Sequence, residues 1–95
     1  MLCSFIIPAY NASKTIVRCL DSIYKLSLSE SDFEVICIDD CSSDNTINVI
    51  NEYAMSHSNI NLLRQTENHR QGAARNRGVD IAKGKYIEAL KQLEA

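Results

Sequence analysis

Ninety-five residues make one domain, and a chain of this size hides roughly 60–65% of its unfolded surface, enough for a single core with little stability to spare. Its composition, 45% hydrophobic and 23% charged, is that of an ordinary globular chain, and a formal net charge of -2 gives no electrostatic ground for a nucleic-acid or anionic-membrane partner. No apolar run approaches the ~20 residues that a transmembrane helix needs.

The opening Met1-Leu2-Cys3-Ser4-Phe5-Ile6-Ile7-Pro8 lacks the basic start and small-residue cleavage site of a signal peptide, and reads instead as a first strand over residues 3–8, closed by Pro8. From Ser13, an expected N-cap, Ile16, Val17, Leu20, Ile23 and Tyr24 fall on one helical face. A polar connection leads to the second strand, Phe33-Glu34-Val35-Ile36-Cys37-Ile38, rich in strand formers. Asp39-Asp40-Cys41-Ser42-Ser43-Asp44 follows, with Ser43 or Asp44 placed to cap a second helix carrying Ile47, Ile50, Tyr53 and Ala54. A third strand near residues 60–64 runs into a polar loop, residues 65–71.

A third helix is predicted from about Gly72 to Lys83, with Ala74, Gly78, Ile81 and Ala82 on its packing side. Its small residues suit a close approach to a sheet, and Gly84 is placed for a left-handed turn after it. Tyr86 and Ile87 still suit a strand. The tail, Glu88-Ala89-Leu90-Lys91-Gln92-Leu93-Glu94-Ala95, contains no β-branched residue and is expected to be helical where Leu90 and Leu93 pack. A fourth strand cut short after about Ile87 would leave part of the first strand as an open edge, so a homo-oligomer through that edge is expected.

The four cysteines, Cys3, Cys19, Cys37 and Cys41, match neither a C-x-x-C zinc template nor an obvious disulfide framework. They read as free thiols in a reducing, cytoplasmic setting.

Alternating strands and helices, with nearly continuous apolar strands, specify an α/β fold whose parallel sheet is covered on both faces. Right-handed crossovers bring every strand's carboxyl end to one edge, where such folds bind ligands. The loops at residues 8–13, 39–44 and 65–71 meet there. Asp39 and Asp40 at a strand tip point to alternate sides, so one suits a ligand and the other a turn; both in a solvated turn is the competing reading. Tyr10 could stack on a base and Asn11 could bond a ribose, or Tyr10 could wedge into the core. His69, Arg70, Arg75 and Arg77 surround a helix N-terminus suited to phosphate oxygens, or simply form an exposed basic face. There is no G-x-G-x-x-G, no G-x-x-x-x-G-K-[ST] and no G-x-S-x-G.

Taken in order, Ser4-Phe5-Ile6-Ile7-Pro8-Ala9-Tyr10-Asn11, Glu34-Val35-Ile36-Cys37-Ile38-Asp39-Asp40-Cys41-Ser42-Ser43-Asp44, Gly72-Ala73-Ala74-Arg75-Asn76-Arg77-Gly78 and Ala82-Lys83-Gly84-Lys85-Tyr86-Ile87 resemble the N-terminal motifs of family-2 glycosyltransferases. Cys41 stands where that family usually has Gly.

The resemblance implies the N-terminal half of a GT-A fold: a three-layer, Rossmann-like parallel sheet of order 3-2-1 with a fourth strand beside the first. It implies transfer of a sugar from a nucleotide-diphosphate donor, commonly UDP-linked, to an acceptor hydroxyl with inversion, as in polysaccharide biosynthesis. It assigns nucleotide-sugar binding to Pro8, Tyr10 and Asp40, with Asn11 and Asp39 in support and Arg75 and Asn76 on the third helix. Residues 1–87 are then the nucleotide-sugar-binding half and 88–95 a tail outside the family pattern.

Where the family continues into an Asp-x-Asp type motif for Mg²⁺ or Mn²⁺, this sequence has Glu88 and no second carboxylate until Glu94. No metal bound by this chain, no catalytic residue and no activity of the chain alone are therefore expected. A full-length protein is expected in the cytoplasm, at the inner face of the membrane. A flavodoxin-like receiver would also pair acidic residues at strand tips, but it wants an Asp after the third strand, where Gln65-Thr66-Glu67 stands. A non-catalytic α/β interaction module is the other alternative.

Overall fold

A computed structural model of the chain describes residues 1–65 and 72–90 and the backbone of 93–94. The elements are β1 (Cys3–Tyr10), α1 (Ile16–Tyr24), β2 (Phe33–Asp39), α2 (Thr46–Ala54), β3 (Ile60–Arg64), α3 (Ala73–Ile81), β4 (Tyr86–Ala89) and β5 (Leu93–Glu94). The sheet order is β3-β2-β1-β4, with β5 also on β1, and all pairings are parallel. The expected architecture and strand order hold.

The pleat divides the core in two. Phe5, Ile7, Ala9, Phe33, Val35 and Cys37 face α1 and α2, meeting Ile16, Leu20, Ile23 and Ile50. Phe5 and Phe33 touch edge to face at 5.7 Å between ring centres. Ile6, Ile36 and Ile38 face α3 and meet Ala74. Burying both faces makes every position of β2 buried, which is why its sequence is apolar on both sides from Val35 to Ile38 rather than alternating.

Helix α3 lies close on the sheet because Gly78 has no side chain. A Cβ there would stand 2.5 Å from Ile6 Cγ2 and 2.7 Å from Ile38 Cδ1. Ile81, assigned to the packing side by periodicity, is 40% exposed, as is Val17 on α1. The true stripes are narrower than the apolar residues available to fill them.

Three expectations are corrected. First, Pro8 does not close β1, which runs on to Tyr10. Ala9 O accepts from Asp40 N on the β2 side, while Leu2 O and Ile6 O accept from Tyr86 N and Leu90 N on the β4 side. Successive residues thus bond to opposite neighbours, and Pro8 turns its nitrogen toward β4. β4 ends at Ala89 opposite Ile6, and β5 begins at Leu93 opposite Ala9. Proline is tolerated at that break because no strand residue in register needs its missing N–H.

Second, Gly84 is not the left-handed glycine; Gly72, at φ 98, is. Gly84 is required for proximity, since a Cβ would stand 2.5 Å from Cys3 C and Ser4 N.

Third, the tail is not helical where it is described. Glu88 and Ala89 lie in β4, and Leu93 and Glu94 pair with Ala9 and Tyr10. Helix propensities differ by only tenths of a kcal/mol per residue and cannot nucleate so short a helix, whereas β1 presents backbone groups that need partners. Residues 91, 92 and 95 lie outside the described residues. With β4 and β5 both on β1, the edge strands of the described sheet are β3 and β4 rather than β1.

Candidate functional site

The carboxyl ends of β1 and β2 are laced together by hydrogen bonds between their loops. Asn11 sits in the left-handed region at φ 49, which asparagine tolerates better than most residues. Its Oδ1 accepts from Ser43 N at 2.8 Å and Asp44 N at 3.3 Å, and its own N–H donates to Ser42 Oγ at 2.9 Å. Ser42 in turn donates to the buried Asp39 carboxylate, from N at 2.9 Å and from Oγ at 2.5 Å. One step further, Ala12 N donates to Thr46 Oγ1 at 2.8 Å and Ser13 N to Asp44 Oδ2 at 3.2 Å.

Ser13 is therefore not the N-cap of α1, which starts three residues later behind Thr15. Asp44 does serve the start of α2: its Oδ1 accepts from Thr46 N at 3.0 Å and also from the Thr46 hydroxyl. Burial pushes the Asp44 carboxyl up, but the hydrogen bonds from Thr46 and Ser13 outweigh it and bring it down to about 2.

The two adjacent aspartates divide as strand alternation requires. Asp39 follows Val35 and Cys37 onto the face of α1 and α2, where its oxygens are engaged by Ser42. Asp40 continues the alternation of Ile36 and Ile38 toward α3, extends the ladder through its N–H to Ala9 O at 2.8 Å, and is 2% exposed. Tyr10 follows Ile6 and Pro8 onto that same face of β1 and is half-buried. Tyr10 and Asp40 thus stand on neighbouring strands at the carboxyl edge, on the side that α3 covers.

Helix α3 starts behind Gly72, and Asn76 N donates to Gly72 O at 2.9 Å in its first turn. Arg75 is half-buried, and its Nε is buried with no hydrogen-bond partner among the described residues. Asn76 is exposed. Arg77 bonds the end of β3, from Nη1 to Arg64 O at 3.3 Å and to Gln65 Oε1 at 3.1 Å. His69 and Arg70 lie outside the described residues.

Sequence reasoning missed Ser42 and Thr46 as the residues that close the site's loops. The Asp-x-x-Ser spacing of Asp39 and Ser42 was the available signal, since an Asp side chain readily bonds backbone just ahead of it. It also missed a buried polar knot at the opposite end of the sheet. Glu34 Oε2 there accepts from Ser4 Oγ at 2.5 Å and Lys83 N at 2.7 Å, while Ser4 Oγ accepts from Gly84 N at 2.8 Å.

Among the described residues no three His, Cys, Asp or Glu side chains converge to hold a metal ion, and no helix is long and apolar enough to cross a membrane. None of the four cysteines forms a disulfide, and burial, followed by the nearby Cys19, pushes the Cys37 thiol up to about 12.

A family model described as Glycosyl transferase family 2 matches residues 4–88. The chain is 39% identical over 88 residues to the poly(ribitol-phosphate) beta-glucosyltransferase of Bacillus spizizenii, covering 92% of this chain and 14% of that protein. Among solved structures it superposes on Staphylococcus aureus TarS 1–349 in complex with UDP-GlcNAc with a TM-score of 0.88 and 31% identity, covering 95% of this chain and 26% of the other. It also superposes on the mannosyltransferase PcManGT of Pyrobaculum calidifontis in complex with GDP-Man and Mn²⁺, with a TM-score of 0.83 and 28% identity, covering 90% of this chain and 25% of the other. The chain thus spans about a seventh to a quarter of the length of these proteins.

Proposed function

Because the chain belongs to glycosyl transferase family 2, we propose that residues 1–87 are the nucleotide-sugar-binding half of an enzyme that transfers a sugar from a UDP-linked donor to an acceptor hydroxyl, with inversion, in polysaccharide biosynthesis. The observation that carries this reading is the division of labour between Asp39 and Asp40. One carboxylate is consumed in closing a loop. The other is held on the face of Tyr10 and α3.

In this reading Asp40 accepts hydrogen bonds from the base and ribose, Tyr10 packs on the base, and Pro8 fixes the strand beneath them. Arg75 and Asn76 address the diphosphate from the start of α3. Arg75 Nε, buried without a partner among the described residues, supports this, because such a donor costs about 1–3 kcal/mol unless something bonds it. The complex of TarS with UDP-GlcNAc supports the uridine assignment.

A divalent cation, when bound in the complete enzyme, neutralises charge on the leaving diphosphate. The complex of PcManGT with Mn²⁺ supports that need, and the described residues of this chain do not supply its ligand set. Four cysteines in no disulfide support a reducing, cytoplasmic setting. Self-association would use the β4 edge, where Tyr86 and Ile87 are exposed.

Titrating UDP into the isotope-labelled chain tests the reading. Saturable shifts should gather at Tyr10, Asp40 and the start of α3, with a Kd on the order of 1 mM, about -4 kcal/mol. Shifts scattered over the molecule, or none at millimolar nucleotide, would refute it.

A further inference from the structure

We propose that Asn11 and Ser42 are positioning residues for the nucleotide site: they clamp the loop after β1 to the loop after β2 and so fix Tyr10 against Asp40. This rests on the uridine-nucleotide reading above, but the clamp itself is a separate claim, since neither residue need touch the ligand.

The geometry assigns the role. The two residues flank the proposed contacts directly, Asn11 following Tyr10 and Ser42 lying two positions after Asp40. Asn11 Oδ1 takes two backbone N–H groups of the facing loop, and Ser42 Oγ takes the Asn11 N–H while donating to Asp39. The circuit therefore runs from one loop to the other and back, ending on a carboxylate that is 0% exposed. β1 and β2 are already held in register by their ladder as far as Ala9 and Asp39. What the ladder does not fix is the chain beyond it, where Asn11 and Cys41 both leave the strand with positive φ, 49 and 63. The side-chain bonds of Asn11 and Ser42 connect one turn to the other.

The clamp predicts a pattern that simple destabilisation does not. Asn11→Gly keeps the left-handed backbone but deletes Oδ1, and Ser42→Ala deletes the hydroxyl. Each should weaken UDP binding about fivefold or more, since about fivefold is the factor for one ordinary hydrogen bond and each variant removes at least two. Each should also speed hydrogen exchange at the Ser43 and Asp44 amides, while amides of the β1–β2 ladder keep their protection. Ser42→Thr, which retains the hydroxyl, should recover most of the lost affinity. If Ser42→Ala and Asn11→Gly bind UDP as tightly as the unaltered chain, the clamp is wrong while the nucleotide reading survives. If ladder amides lose protection along with the loop amides, the residues are general stabilisers and the clamp is equally wrong. Failure of the unaltered chain to bind UDP would instead sink the nucleotide reading, and the positioning role with it.

Discussion

Cys41 shows how a single residue departs from the family pattern at a physical cost. Its φ of 63 lies in the left-handed region, where a residue with a Cβ is roughly 1–2 kcal/mol worse off than glycine. Cys41→Gly should therefore be neutral or stabilising by up to about 1 kcal/mol, the gain being trimmed by glycine's looser unfolded chain. Cys41→Val should cost about 1–2 kcal/mol, and thermal unfolding of both variants checks the pair. Asp44 offers a second residue-level test. Its folded carboxyl is a stronger acid than an ordinary aspartate at 3.8, so its contribution is fully present above that value and fades as the pH falls through about 2. Urea unfolding of Asp44→Asn should show a flatter pH dependence between about pH 4 and 2 than the unaltered chain. A parallel pair of curves would mean that the carboxylate's hydrogen bonds add nothing to folding. At this scale the sequence was informative about which residues gather at the edge. It did not reveal which oxygens are spent inside the chain, because Asn11, Ser42 and Asp44 meet only once two loops more than thirty positions apart are folded together.

Elements were legible where one force dominated. The mostly apolar β2, with strand formers on both faces, read as an interior strand, and Ile16, Leu20 and Ile23 read as one inward helical side. The placement of α3 was foreseen from its small residues, and Gly78→Ala tests it. The added methyl collides with Ile6 and Ile38, so a loss of about 1–3 kcal/mol is expected by chemical denaturation. Full tolerance of alanine would mean that α3 sits farther from the sheet than described here. The turn from α3 into β4 depends on a different device, the buried Glu34. Removing its carboxylate in Glu34→Ala strands the Lys83 N–H and the Ser4 hydroxyl and should cost about 2 kcal/mol or more. A glutamate within an apolar strand was visible in the sequence, yet its partners, 30 and 49 positions away, were not.

For the molecule as a whole, topology overrode local preference at the C-terminus. Residues with strong helix propensity joined β1 because its open hydrogen-bonding groups offered more than an isolated helical turn. The edge expected at β1 moved to β4 as a result, and Tyr86 and Ile87 on it are 61% and 44% exposed. Sedimentation of the chain should reveal concentration-dependent association that Ile87→Lys suppresses, since a charge blunts an edge strand. Equal behaviour of the two chains would remove the β4 edge as the contact. The central claim is that Asp40, rather than its neighbour Asp39, holds the nucleotide, and a nucleotide titration of Asp40→Ala beside the unaltered chain tests it most directly. UDP-dependent chemical shifts seen in the unaltered chain should vanish in Asp40→Ala while its fold remains intact. Undiminished shifts in that variant, or micromolar binding that requires Mg²⁺, would contradict it.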